Sequence, residues 1–221
     1  MNEILDYEGL RDKHRAVRDE FSEQANLRIH RAISWIGGAE NCVDDEDARF
    51  IFLWIAFNAV YADESAFLER DINARSSFHE FFRKIVSLDG EKLIYGALWE
   101  RFSGPVRLLM DNRYVYSPFW KYHNGIKGFE MWESMLDKEA RRFSRAFQNG
   151  ETALVLGLVF GRLYVLRNQI VHGGSTWKSS VNRDQVRDGA AILGFLMPAF
   201  ADIMMDNPDQ DWGKPFYPVV D

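Results

Sequence analysis

The sequence predicts an all-α fold, a helical bundle with about four to five long helices and an inserted segment, and three observations carry that prediction. Apolar residues recur at steps of three and four over long stretches, the spacing of one helix face. No set of alternating apolar and polar segments reads as strands. Apolar residues make up 47% of the 221-residue chain and aromatics 14%, enough for a sizeable core. No internal repeat, low-complexity tract or Pro/Ser-rich linker divides the chain, so residues 1–221 are read as one domain.

The elements follow in order. Leu10, Val17, Phe21, Ala25, Ile29, Ala32, Ile33 and Ile36 form one stripe on a long first helix, which Gly37-Gly38 are expected to end. Asp44-Asp45-Glu46-Asp47 suits a helix N-terminus, where carboxylates meet the positive end of the dipole. The run Phe50 to Tyr61 behind it is apolar all round and so predicts a central helix. Asn58 is its lone polar residue, read as a core amide that fixes register or as a contact to the Arg167 region. Residues 64–127 are less regular and read as an insertion, with short helices over Ser76–Leu88 and Glu91–Phe102. A third long helix is expected over Phe129–Gln148, and the next runs from a Thr152 cap to about Val171. Asn182 and Gln185 resemble a capping box for the last helix, which continues past Pro198 to about Met205. The tail 206–221, with three prolines, is expected to be extended.

The formal net charge of −6 argues against broad affinity for nucleic acid, so any RNA contact must use a local basic patch. Cys42 is the only cysteine, which rules out an internal disulfide and suits a reducing compartment. The acidic N-terminus has no apolar signal core, and the longest apolar run, Ala153 to Gly161, is too short to span a bilayer. A soluble, cytoplasmic protein with no membrane partner is expected.

The next-to-last helix closes on Arg167-Asn168-Gln169-Ile170-Val171-His172, followed by Gly173-Gly174. The plainer reading makes His172 a partner of the negative helix end, Gly173 a terminator, and Arg167 half of an ion pair. The sharper reading is phosphodiester chemistry. An imidazole of ordinary pKa accepts a proton at neutral pH, so His172 suits a general base for an RNA 2′-hydroxyl. A guanidinium is always charged and offers fixed donors to the oxygens of a phosphorane, which suits Arg167. Asn168 would orient the phosphate or the histidine. No ligand cluster suggests a metal, and no cofactor is expected. On an ideal helix Arg167 and His172 lie about 140° apart after one full turn. Either the helix ends early and His172 turns back, or two copies meet across a twofold axis.

The segment RNQIVHGG resembles the Arg-x4-6-His motif, in its Arg-Asn version, of the HEPN family, of the ribonuclease-like, Apea-like type. The stretches FLWIAFNAVY and GGSTWKSSVNRDQVRDGAAIL also look like that family, and the likeness extends over most of the chain except 64–127. It implies a helical bundle and a homodimer with a composite site between protomers. It also implies a metal-independent endoribonuclease that leaves 2′,3′-cyclic phosphate ends, with Arg167, His172 and Asn168 as its catalytic residues. The setting it implies is a toxin–antitoxin or defence system with an antitoxin partner. The alternative is a non-catalytic HEPN module that binds RNA, nucleotide or a partner protein.

Further candidates are Lys178, after the motif, and the run Lys138, Arg141, Arg142 and Arg145. Each is a solvated face on the bland reading and an RNA-backbone contact on the sharper one. Arg113 to His123 mixes aromatics with cations, which suits either base stacking or a packed lid. Gly157 and Gly161 would let a neighbouring helix approach. His14, His30, His79 and His123 show no ligand spacing.

Overall fold

Capping side chains, more than the glycines, set where the helices begin. Asp6 Oδ1 accepts from Gly9 N at 2.9 Å and opens α1, Tyr7–Val17. Ser22 Oγ accepts from Ala25 N at 3.2 Å and opens α2, Glu23–Glu40. The expected single first helix is therefore two, joined by a 3₁₀ turn over Arg18–Glu20. Its stripe survives the break, because Leu10, Phe21, Ala25, Ile29, Ala32, Ile33 and Ile36 are all buried. Gly37-Gly38 do not end α2. A Cβ on Gly37 would lie 2.6 Å from the Tyr7 ring and one on Gly38 3.3 Å from the Phe52 ring, so both glycines serve close packing.

The structure, a computed structural model, describes residues 4–61, 74–180, 182–215 and 217–219. Ten α-helices and no strand occur among them, and the chain is 74% helical. After α1 and α2 come α3 (Glu46–Tyr61), α4 (Ala74–Leu88), α5 (Leu93–Gly96) with a π-helical turn over Ala97–Arg101, and α6 (Ser103–Asp111). A 3₁₀ turn, Arg113–Val115, leads to α7 (Ser117–His123), α8 (Trp132–Gln148), α9 (Thr152–Val171) and α10 (Arg183–Met205). The all-α bundle expected from periodicity is thus observed.

The acidic start of α3 behaves as its charges require, with Asp45 Oδ1 accepting from Ala48 N at 3.0 Å. Helix α3 packs on α2, α9 and α10 through Phe50, Leu53, Trp54, Phe57 and Val60. Its far side is less covered. Ile51, Ile55 and Asn58 are only half-buried, so Asn58 is not a core amide.

The expected insertion is partly core. Its first residues, 62–73, lie outside the described residues, but α4 packs along α9. Phe78, Phe82 and Ile85 of α4 belong to the same continuous apolar core as Leu10 and Phe200. Tyr116, Phe119 and Trp132 form a small satellite cluster, so part of the Arg113–His123 stretch is structural.

Two capping expectations fail. Thr152 does not cap α9; it is the first helical residue, and its hydroxyl donates to Gly150 O. Asn182 adopts a left-handed conformation, φ 59°, and its amide turns to Gln169 instead of the helix N-terminus. The tail is not simply extended either. It turns at 208–210 and buries Trp212, under the Lys84 ammonium at 4.6 Å from the ring centroid.

By length and composition α9 and α10 are each apolar enough to cross a membrane, at a mean hydropathy of 1.4. The uninterrupted run 153–161 understates this, because the helical window tolerates Arg162 and Arg167. In the fold 78% of the α10 window is buried, the position of a bundle's core helix.

Arg28 ties three parts together. It is 1% exposed and donates to Ala59 O and Val60 O near the end of α3 and to Trp212 O of the tail. Arg28→Met keeps the volume and strands three buried carbonyls. We expect urea titration to show a loss of about 2–5 kcal/mol and limited proteolysis to reach the tail first. A loss under about 1 kcal/mol would show that water replaces the guanidinium freely.

Candidate functional site at the end of α9

Arg167 and His172 occupy the last turns of α9, and the way that helix stops fixes both. Gly174 N donates to Gln169 O at 2.6 Å and Gly173 N to Ile170 O at 3.2 Å. Gly173 has φ +70°, which completes a Schellman motif with His172 as the C-cap residue. A Cβ on Gly174 would stand 3.0 Å from Gln169 O, so both glycines are needed at this turn. The helix therefore runs unbroken through Val171 and does not end early. Arg167 and His172 leave it about 140° apart. No hydrogen bond or ion pair joins them among the described residues.

Arg167 is half-buried, and its Nη1 donates to Asn168 Oδ1 at 2.9 Å. Among the described residues no carboxylate pairs with it. His172 is exposed. Its backbone N–H donates to Asn168 O at 3.0 Å.

Gln169 is the residue that motif reasoning missed. Its Nε2 donates to Tyr114 O, and its Oε1 accepts from Asn182 Nδ2 at 3.0 Å. One side chain thus ties the motif helix both to the 3₁₀ turn before α7 and to the start of α10. A polar residue inside the motif was the only signal available in the sequence.

The loop after the motif is latched to the N-terminus of α3. Trp177 Nε1 donates to Asp45 Oδ2 at 2.8 Å and Lys178 N to Asp47 Oδ2 at 3.1 Å. Arg183 forms a two-pronged pair with Asp47 at 2.7 and 2.9 Å, and Asp47 itself is buried. Hydrogen bonding to Asp47 holds the Arg183 guanidinium above its ordinary pKa. The backbone N–H of Ala48 is the main cause that holds Asp45 below the usual carboxylate range; burial opposes it and the Trp177 indole adds to it. Lys178 is exposed at φ 53°, with its ammonium 4.9 Å from the Trp177 ring centroid. It faces the acidic α3 terminus.

Lys138, Arg141, Arg142 and Arg145 are all exposed on α8. Arg142 lines a depression. Three depressions abut along one face of α9, sharing Phe78, Ser117 and Gly161 at one junction and His79 and Arg142 at the other. The two outer depressions are open, and the middle one is narrow, lined by buried Val115, Tyr116 and Arg162, with Arg162 bridged to Glu139 at 3.1 Å. Gly157 admits the His79 imidazole, which a Cβ would meet at 2.9 Å, while Gly161 faces open space. Among the described residues no three His, Cys, Asp or Glu side chains group to hold a metal ion.

No protein-family model matches the chain, and neither a curated protein nor a solved structure matches it. The HEPN resemblance therefore rests on the motif and the two sequence stretches that accompany it.

The latch makes a prediction. Asp47→Ala removes three acceptor contacts and leaves Arg183 unpaired. Because the Arg183 side chain is 32% exposed, the cost falls below that of a fully buried pair, at about 2 kcal/mol. Hydrogen exchange should quicken at the Lys178 amide while the amides of α9 up to Leu166 stay protected. Equal quickening along α9 would mean that the latch supports the whole bundle.

Proposed function

We propose that the protein is a HEPN-type, metal-independent endoribonuclease that works as a homodimer, in a toxin–antitoxin or defence setting. One observation carries the reading. Arg167 has no carboxylate partner among the described residues, and His172 stands exposed at the end of the same helix. A guanidinium held by a neutral amide keeps donors for a phosphate.

The chemistry follows from the residue types. The imidazole of His172 takes the proton of an RNA 2′-hydroxyl as that oxygen bonds to the adjacent phosphorus. Arg167 donates to the non-bridging oxygens as negative charge builds on them. The bond from phosphorus to the 5′-oxygen breaks, and that oxygen takes up a proton. Asn168 holds the guanidinium through the bond at 2.9 Å. The products carry 2′,3′-cyclic phosphate and 5′-hydroxyl ends.

The angular separation of the two side chains supports the dimer. A second copy across a twofold axis supplies His172 to each Arg167. Val43, Val171 and Trp177 are exposed apolar side chains, and Val171 and Trp177 flank His172 in sequence, which suits such a contact.

The purified protein should cut RNA in EDTA and spare DNA. Arg167→Ala and His172→Ala should each lower the rate by ~10²–10⁴ without loss of helicity. Mixing the two inactive variants should restore about a quarter of wild-type activity, since half the dimers are mixed and each has one intact site. His172→Ala cutting at the wild-type rate would refute the assignment. RNA binding that Arg167→Ala abolishes, in a protein that never cuts, would favour the non-catalytic module.

A further inference from the structure

We propose that the depression between α7 and α9 is the subsite for one unpaired nucleobase of RNA, stacked on Trp120 next to the Asn168–Arg167 pair. That the base belongs to RNA rests on the ribonuclease reading; the subsite rests on the depression itself.

One face of α9 forms a wall of the depression. Gly161, Tyr164, Val165 and Asn168 follow one another at helical spacing and line it together with Trp120 of α7. Its volume of about 940 Å³ is that of a small-molecule site, for which ~300–1,000 Å³ is usual. Trp120 is held in place, with Nε1 donating to Tyr114 O at 2.7 Å and its ring edge-on to Phe119 at 5.1 Å between centroids. An indole fixed this way and still 39% exposed is a ready stacking platform. Gly161 keeps the wall flat, since a Cβ there would meet nothing within 4 Å.

The polar groups around it are sorted. Arg167 does not line the depression, but its Nη1 donates to Asn168 Oδ1 at 2.9 Å, and Asn168 does line it. A guanidinium has only donors, so this bond fixes the amide and leaves Asn168 Nδ2 to donate elsewhere. Asn124 is the converse. Its Nδ2 donates to Trp120 O at 2.8 Å, which leaves Oδ1 as an acceptor. Gln169 has both ends of its amide engaged, with Tyr114 O and Asn182, and acts only as wall. Among the described lining residues Lys121 is the one charge, so no carboxylate there repels a nucleotide.

An aromatic plate, an amide donor, an amide acceptor and one cation suit a base and its phosphodiester. The ring stacks, and every base edge carries both donors and acceptors. An aliphatic side chain would use neither amide. In a duplex the faces and the pairing edge of the base are already taken, so the base must be unpaired.

The test uses the full chain with His172→Ala, so that RNA is bound and not cut. Fluorescence anisotropy at low salt compares a labelled oligouridylate of about six nucleotides with an abasic strand of the same length. The ratio of the two affinities reads what the bases contribute. Trp120→Ala and Gly161→Leu, each added to His172→Ala, should cut that ratio roughly 5–150-fold and leave the affinity for the abasic strand unchanged. Trp120→Phe loses the bond to Tyr114 O but keeps a ring, and should retain most of the ratio. If Trp120→Ala melts early by circular dichroism, Gly161→Leu decides alone. It puts a better helix former into open space and then fills the depression.

An unchanged ratio in Gly161→Leu would overturn the proposal. So would equal losses for both strands, which would mean that the depression takes backbone and not a base. No binding of the oligouridylate, the result expected of a depression that seats an apolar segment of a partner, would also overturn it. A chain that shows the base effect but, with His172 restored, never cuts RNA would sink the ribonuclease reading and leave the subsite standing. A protein that cuts RNA while Gly161→Leu leaves the ratio unchanged would sink the subsite alone.

Discussion

Enclosure of α9 is the constraint on which the rest of the structure depends. The helix carries Val155, Leu156, Val159, Phe160, Leu163 and Leu166, all buried, and so demands neighbours on several sides. Helices α3 and α10 cover only part of it. Helix α4, together with α6, the 3₁₀ turn and α8, covers the remainder. The middle of the chain is therefore recruited to the core by α9, and Phe82 stacks near Phe57, Phe160 and Phe200 as a result.

Where that cover is incomplete, chemistry has room. Gly157 lets His79 close against α9, whereas Gly161 faces open space beside the depression next to Asn168. Arg162 is the polar exception inside the enclosed part. It is held by Met110 O at 3.0 Å, Glu139 at 3.1 Å and the Tyr116 ring at 4.4 Å. A buried guanidinium placed this way fixes α6, α8 and the start of α7 around one helix. Five residues later Arg167 donates to the Asn168 amide oxygen and, among the described residues, pairs with no carboxylate. Two arginines on one helix thus differ: one is buried and bridges three elements, the other is half-buried beside an amide.

Rigidity at the motif comes from three sources that act together. The Schellman turn fixes His172 through the main chain. Gln169 ties the helix to elements on two sides. Asp47 anchors the following loop from the buried start of α3. The same acidic terminus that nucleates α3 also collects Trp177, Lys178 and Arg183. Asn168, on the helix itself, lines the depression beside Trp120 and Tyr164.

The sequence by itself determined the helical class, the position of most helices, the acidic start of α3 and the termination of α9. These depend on periodicity and on residues within a turn of one another, which a linear chain displays directly. It also displayed Arg167, Asn168 and His172. The tertiary structure decided the rest. Ser22 splits the first helix, and Gly37 stays helical because Tyr7 packs on it, a contact between residues thirty positions apart. Asn182 turns to Gln169 and abandons its cap, and Trp212 folds back to Arg28 across most of the chain. The depression at the motif was illegible for the same reason. Trp120 and Asn168 stand on separate helices, and only the packing of α7 against α9 places them around one hollow.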